Sequence, residues 1–495
     1  MVFTSYQFFL FLPAVLFLYF IIPRGLRLHW LLLVSMLFYT CFHPVYLLVL
    51  SAVTGISWYA GLLLDRFDPA EVKARLIFRS GVLLSLLFLV VFKYTGFILE
   101  NLRFLTERLL SRPVSLAFSL VMPVGISYYT FQVISYLADV RRGKIGAEKN
   151  ILCYALYVSF FPKIISGPIE RGEGFLAQIR DCRNWNLWNG TRVRDGLVLM
   201  IWGYFQKLVI ADRLAILTGE VFGDYRGYGS VELFLAAAAF YIQLYADFNG
   251  YTDIARGVAK AMGFTLTENF RAPFFAKSIR EYWKRWHISL STWLQDYIYI
   301  PLGGNRKGTL RKYGNLMVTF LVSGFWHGAA WNYVFWGLLH CVYEVAEAVT
   351  APAAERLHQR LHTRTESFSY RMLRTVKCWL LVCFAYIFFK VPTAADGLRY
   401  LWRMATKWNP WTLFDGSLFT LGISEKYAHV LWIAIALLLL TDWLKEKKSM
   451  EIDVWLAEQC IWFRWLVMLG GIMAVVIFGA YGPAYDAENF IYFQF

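Results

Sequence analysis

The chain has 495 residues, of which 58% are hydrophobic and 19% aromatic, and its mean hydropathy is +0.47. Only 17% are charged, against about 25% in a soluble domain, which excludes a soluble enzyme carrying a single anchor. A formal net charge of +15 would suggest nucleic acid in a soluble protein, but here the cations fall in short loops between apolar runs, where the positive-inside rule accounts for them without a nucleic-acid partner.

Apolar runs recur from residue 7 to residue 480. The sequence therefore predicts an all-α polytopic protein, with residues 1–495 as one integral membrane domain. The first run, Phe8 to Ile22, has no basic segment before it and no small-residue cleavage site after it, so it reads as a retained span rather than a signal peptide. A span needs about 20 apolar residues, fewer where a helix is short or re-entrant. On that basis spans are predicted at 7–23, 29–42, 45–64, 80–98, 115–138, 196–217, 231–248, 315–342, 374–391, 428–443 and 462–480, roughly eleven crossings. Two further segments, 151–168 and 279–300, mix apolar residues with prolines or charges and read as re-entrant or interfacial.

The basic loops orient these spans. Arg24 and Arg27, the Arg66–Arg79 loop, the Arg141–Lys149 loop, the Arg306–Lys312 loop and Lys445–Lys448 all fall inside if 29–42 and 45–64 form a hairpin near Pro44. The N-terminus and the tail Tyr481–Phe495 are then outside. The stretch 99–114, with Arg103, Arg108 and Arg112, does not fit this scheme and reads as an amphipathic helix on the membrane surface. The arginine-bearing stretch 351–376 reads as a linker. No internal repeat is visible, hence no sign of the inverted halves of many transporters. The seven cysteines are scattered, without CxxC or ligand-like spacing, and are expected to pack as small hydrophobes.

Two histidines stand out among eight. His327 lies in Ser323-Gly324-Phe325-Trp326-His327-Gly328, inside an apolar run, where a titratable side chain is costly unless it has a use. Burial favours its neutral imidazole, which can accept a proton from a hydroxyl and so serve as a general base. The competing reading is a buried histidine bonded to a neighbouring helix. Gly324 and Gly328 would let another chain or a ligand approach the backbone closely. His287 lies in Trp283-Lys284-Arg285-Trp286-His287, and on one continuous helix Trp283, His287 and Ser291 would share a face. The competing reading there is an interfacial helix anchored by tryptophans and snorkelling cations. Asp247 and Asp253 bracket Asn249, but no third ligand follows, so no metal site is expected; capping, or pairing with Arg256 or Arg271, is the simpler reading. The run Phe160–Arg171 carries Pro162 and Pro168, and a broken helix in a membrane points to a cavity wall with Lys163 and Arg171 facing polar material. No Walker, GxSxG, kinase or haem motif is present.

Taken in order, five segments resemble the membrane-bound O-acyltransferase superfamily in its bacterial branch. They are Pro123–Gln132, Phe161–Ile169, Asn269–Phe274, Trp283–Ser291 and Gly324–Gly328, covering most of a signature core at about 1–345, with 346–495 less distinctive. The closing Ile491–Phe495 resembles alginate-type members more than D-alanyl-transfer members. Asn249, where many relatives carry serine, and Tyr128, where phenylalanine is common, are small departures. The resemblance implies a ring of tilted helices around a central tunnel. It also implies His327 as the essential catalytic histidine and His287 as a second histidine lining the tunnel. The expected reaction moves an acyl group, acetyl by preference, from a cytoplasmic donor such as acetyl-CoA, used as substrate rather than bound permanently. The expected acceptor is an extracytoplasmic polysaccharide, reached directly or through a periplasmic or cell-surface acetyltransferase partner, with the protein in the cytoplasmic (inner) membrane. His287, grouped with His327 as catalytic, is expected to line the donor side of the tunnel with Trp283, Lys284, Arg285 and Trp286, the two cations attracting an anionic donor, and His327 to sit at the reaction centre. The competing class, a proton-coupled transporter or channel with a histidine relay, calls for repeat-related interrupted helices.

Overall fold

The computed structural model describes residues 1–110 and 120–481, and every regular element among them is a helix. The start of the predicted 115–138 span, Arg112 and the segment 482–495 with its closing Ile491–Phe495 lie outside the described residues. The chain divides into two compact units, Met1–Leu197 with Ala255–Thr267, and Val198–Ile254 with Glu268–Phe495.

The first unit contains α1 (Tyr6–Ile21), α2 (Arg27–Thr40), α3 (Pro44–Leu64), α4 (Val72–Leu89), α5 (Thr95–Leu110), α6 (Ile126–Arg141), α7 (Ile151–Ser159), α8 (Phe161–Ile164), α9 (Gly172–Asp181) and the start of α10 (Gly190–Tyr204). Small residues let α3, α4 and α6 close on each other, as membrane helices must when no hydrophobic drive separates lipid from protein. Gly81 of α4 is so near Ala60 of α3 and Leu137 of α6 that a Cβ there would lie 3.0 and 3.1 Å from them. Buried polar groups pair across the unit: Tyr154 donates to Ser57 (2.8 Å), and Lys163 donates to the Gln132 carbonyl, whose amide in turn donates to Tyr157 O. Lys163, expected on a cavity wall, is buried, and its ammonium meets the side chain of Gln132. The segment 99–114 is not a separate surface helix at its start: α5 continues α4 through a π turn at Val90–Tyr94.

The second unit takes the chain from α10 through a π turn at Phe205–Ala211 into α11 (Asp212–Gly223), and then through the first part of α12 (Ser230–Met262). It continues with α13 (Ile279–Arg285), α14 (Ile288–Leu294), α15 (Thr309–His327), α16 (Trp331–Arg360), α17 (Phe368–Lys390), α18 (Ala394–Thr406), α19 (Glu425–Lys448), α20 (Ile452–Ala457) and α21 (Ile461–Phe478). Seven helices among the described residues are long and apolar enough to cross a membrane: α3, the joined α4–α5, α12, α16, α17, α19 and α21. The other predicted spans fall mainly on shorter or more polar helices such as α1 and α2.

Three boundaries differ from the sequence expectation. The run 315–342 is two helices, broken at Gly328–Ala330, where Gly328 and Ala330 are extended. Hydropathy does not register that break because both arms are apolar. The stretch 351–376 is mostly helical, since its alanines, glutamates and arginines are good helix formers. Its turn is confined to 361–367, and Ser367 caps α17 by accepting from Tyr370 N. The segment 279–300 breaks at Trp286–His287 and carries a π turn at Gln295–Tyr299. Of the seven cysteines, all free, five are buried, and Cys41 and Cys460 are exposed.

Candidate active site

His327 ends α15, and its position depends on how α15 meets α16. Gly324, Gly328 and Gly337 remove the side chains that would hold the two helices apart. A Cβ on Gly324 would run into the Tyr333 carbonyl, one on Gly337 into the Phe320 carbonyl, and one on Gly328 into the Tyr333 ring. The close approach inferred from Gly324 and Gly328 is therefore made by the next helix of the same chain. Asn332, in the first turn of α16, donates to the carbonyls of Phe388 (3.2 Å) and Val391 (3.0 Å), which ties the break to the end of α17. The imidazole of His327, 4% exposed, sits among the rings of Trp326 and Trp336 (both 5.0 Å between centroids) and Phe389 (5.3 Å).

His287 arrives by a different route. It does not continue the helix of Trp283, so the shared face expected for Trp283, His287 and Ser291 is not formed. The residue caps α14 in the left-handed region (φ 43°, ψ 55°), a conformation that costs about 1–2 kcal/mol outside glycine. The segment Asn269–Phe274 holds it there. Ile288 N donates to Asn269 O (2.9 Å), Ser289 N to Asn269 Oδ1 (3.3 Å), and Arg271 N to Arg285 O (3.0 Å). The result is a fully buried imidazole set edge-on to Phe248 (4.7 Å) and beside Trp326 (5.7 Å). Its ring centroid lies 6.5 Å from that of His327. Two histidines 40 residues apart in sequence thus share one apolar pocket of the second unit.

The four neighbours of His287 have separate fates. Trp283 lies against Phe320 (5.5 Å) and Trp336 (5.7 Å). Trp286 is turned into the core, stacked on Tyr282 (5.4 Å) and edge-on to Phe270 (4.9 Å). Arg285 is spent on structure: it pairs with Glu281 (2.6 Å) and with Glu446 (2.5 Å), fastening α13 to the end of α19. Lys284 is exposed and lines a cavity of about 880 Å³ between α13, α15, α16 and α17. That cavity also carries Lys277, Arg280, Lys312, Arg374 and Lys377 against Glu344, Glu347 and Glu355, a positive excess. Trp283, Phe320 and Ser323 form part of its wall; His287, beyond the helix break, does not line it. The sequence reading did not assign Lys277, Arg280, Lys312, Arg374 and Lys377 to a site; they come from three separate stretches, and the only advance signal was their common charge.

The carboxylates of the Asp247–Asp253 segment are structural. Lys207, fully buried, pairs with Asp212 (2.8 Å) and Asp247 (2.7 Å), while Asp253 accepts from Gln206 (2.9 Å) and Asn249 (3.1 Å). Arg271 is committed to Glu268 (3.0 Å) rather than to either aspartate.

Residues 145–389, which include both histidines and much of the cavity wall, match the membrane-bound O-acyltransferase family. A "probable alginate O-acetylase" of Pseudomonas aeruginosa is 37% identical over 409 residues, covering 82% of this chain and 74% of that protein.

The chain belongs to the membrane-bound O-acyltransferase family.

A protein of the same description from Pseudomonas putida is 32% identical over the whole of both chains. A "peptidoglycan O-acetyltransferase" of Helicobacter pylori is 32% identical, over 75% of this chain and 72% of that protein. Membership makes this chain a multi-pass membrane O-acyltransferase.

Proposed function

We propose that the protein transfers an acetyl group from cytoplasmic acetyl-CoA to a hydroxyl of an extracytoplasmic polysaccharide, directly or through a partner acetyltransferase, from within the cytoplasmic membrane. The observation that carries this reading is the pairing of His287 and His327 next to a cationic cavity. CoA carries several negative charges on its phosphates, which suits a wall where lysines and arginines outnumber glutamates. Lys312 belongs both to that wall and to the Arg306–Lys312 loop that the positive-inside rule assigns to the cytoplasm, which supports a cavity open to the side where the donor is made. The relatives' names support acetyl as the group and a glycan as the acceptor. A hydrocarbon core about 30 Å thick bars the donor from crossing. A reaction centre between the two compartments lets the acyl group pass without its carrier, through the tunnel that the resemblance implies, within the roughly eleven crossings that the apolar runs predict.

In the reaction His327 accepts the proton of the attacking hydroxyl as its oxygen bonds to the thioester carbonyl carbon. The carbon–sulfur bond then breaks, the CoA thiolate leaves on the donor side, and the proton on His327 is returned to it, giving the ester and free CoA thiol. His287, held in a strained backbone conformation 6.5 Å from His327 between ring centroids, helps to fix the apolar pocket the two share, and strain of this kind collects where geometry must be over-determined.

The test is acetyl-ester formation by the purified full-length protein in proteoliposomes with radiolabelled acetyl-CoA inside and alginate or peptidoglycan fragments outside, with and without the membrane's periplasmic proteins. Label on the external glycan supports the proposal. Use of a D-alanyl donor in place of acetyl-CoA, or label that follows an imposed ion gradient instead of CoA release, would replace it with the D-alanyl or the transporter reading.

A further inference from the structure

A third histidine belongs to the ring cluster that joins the cavity wall to His327. His340 of α16 is fully buried, and its ring touches those of Trp336 (4.9 Å) and Trp283 (5.1 Å). Trp283 is 5.7 Å from Trp336, which in turn is 5.0 Å from His327. Trp283 also lines the cavity, so these rings form an unbroken path from the cationic wall to the catalytic histidine. The indole nitrogens of Trp283 and Trp336 and both ring nitrogens of His340 are buried without a hydrogen-bond partner among the described residues. Tryptophan normally finds an acceptor for its N–H when buried, and an unmet donor loses its hydration for nothing. Three such groups in mutual contact form a built site for an acceptor. Two indoles and one neutral imidazole supply three N–H donors and only one acceptor, so the complementary ligand is an uncharged or developing-negative oxygen.

We propose that Trp336, His340 and Trp283 form the carbonyl-binding pole for the acyl thioester. This rests on reading the neighbouring cavity as the acetyl-CoA site. The carbonyl oxygen accepts from these N–H groups. When the acceptor oxygen bonds to the carbonyl carbon, the displaced electron pair settles on the carbonyl oxygen, and the same donors hold it until the carbon–sulfur bond breaks. No proton moves through His340; the proton cycle stays on His327. Donors fixed beforehand in an apolar site stabilise such an oxyanion far more than water does, since they need no reorganisation as the charge appears. Trp336 serves both sites: its ring packs against both His327 (5.0 Å) and His340 (4.9 Å), which places the carbonyl near the base.

The test uses the purified full-length protein in detergent and two stable CoA thioethers, acetonyl-CoA, which keeps a ketone, and isobutyl-CoA, its isostere without one. The wild type should bind the ketone roughly 2- to 10-fold tighter, the size expected for net hydrogen bonding. His340→Phe and Trp336→Phe should bring that ratio close to one and lower kcat with acetyl-CoA about 10²-fold, with little change in KM. His340→Gln, which restores an N–H donor, should recover part of both. If the phenylalanine variants do not fold, His340→Gln and Trp283→Phe carry the test. Wild-type protein that binds neither thioether overturns the donor-site reading, and this proposal with it. Protein that binds both equally, or variants that keep the ratio and kcat, overturn the carbonyl pole while the donor site stands.

Discussion

Two buried polar regions of the second unit are built on opposite plans. Around Lys207 an ammonium meets Asp212 and Asp247 within 2.8 Å, and nearby Gln206, Asn249 and Asp253 bond to one another. Around His327 the neighbours are rings, and the buried nitrogens of Trp283, Trp336 and His340, three N–H donors among them, have no hydrogen-bond partner among the described residues. A region whose charges are matched within the chain holds the fold. A region whose donors await an oxygen is prepared for a ligand and gives up stability to be so. Removing one group should therefore damage folding in the first region and chemistry in the second.

Substitutions can break that contrast. The largest effect is expected at His327. His327→Ala should lower acetyl transfer about 10²–10⁴-fold, the usual cost of a missing general base, while detergent-solubilised protein keeps its elution profile and melting temperature. Full activity in that variant would remove His327 from the mechanism, and loss of folding along with activity would mark it as a packing residue. Lys207→Met should do the reverse. It leaves two buried aspartates without their cation and should cost about 3–5 kcal/mol, read as a large fall in melting temperature or yield. A variant that melts like the wild type but cannot transfer acetyl would put Lys207 in the reaction instead.

Gly324→Ala sharpens the comparison from the backbone. The added methyl meets the Tyr333 carbonyl and must push α16 off α15, at about 1–3 kcal/mol. Because that shift moves Trp336 relative to His327, kcat should fall more steeply than stability predicts, and a matched loss of the two would argue against tight positioning. The smallest effects are expected at the adjacent cations of α13. Lys284→Ala with Lys312→Ala should raise KM for acetyl-CoA a few-fold at low ionic strength and less at about 0.15 M salt, where screening acts within about 8 Å. Arg285→Ala should instead lower the melting temperature, with about 1–3 kcal/mol lost as Glu281 and Glu446 go unpaired. Equal KM effects from both substitutions would show that Arg285 also reaches the donor.

Much of the site could be read in advance because its residues carry their chemistry in their identity. An imidazole inside an apolar run is costly wherever the chain goes, so His327 stood out before any helix was placed. The glycines beside it declared a close approach, though not that α16 would make it. His340 escaped notice for an instructive reason. In Trp336-Gly337-Leu338-Leu339-His340 it looks like one more residue of a long apolar helix, and only its burial against Trp283 and Trp336 sets it apart. Likewise Lys284 and Arg285 are indistinguishable as letters, yet one faces an open cavity and the other two carboxylates.

By itself the sequence determined what local composition can decide: a helical membrane protein, the family motifs and two histidines worth following. Partner choice was decided only by the tertiary structure. The left-handed turn at His287 needs Asn269 to hold it, the break at Gly328–Ala330 needs Tyr333 and the end of α17, and the cationic cavity needs side chains spread from Lys277 to Lys377. Each depends on groups far apart along the chain, whose interaction energies exist only once folding has brought them within a few ångströms.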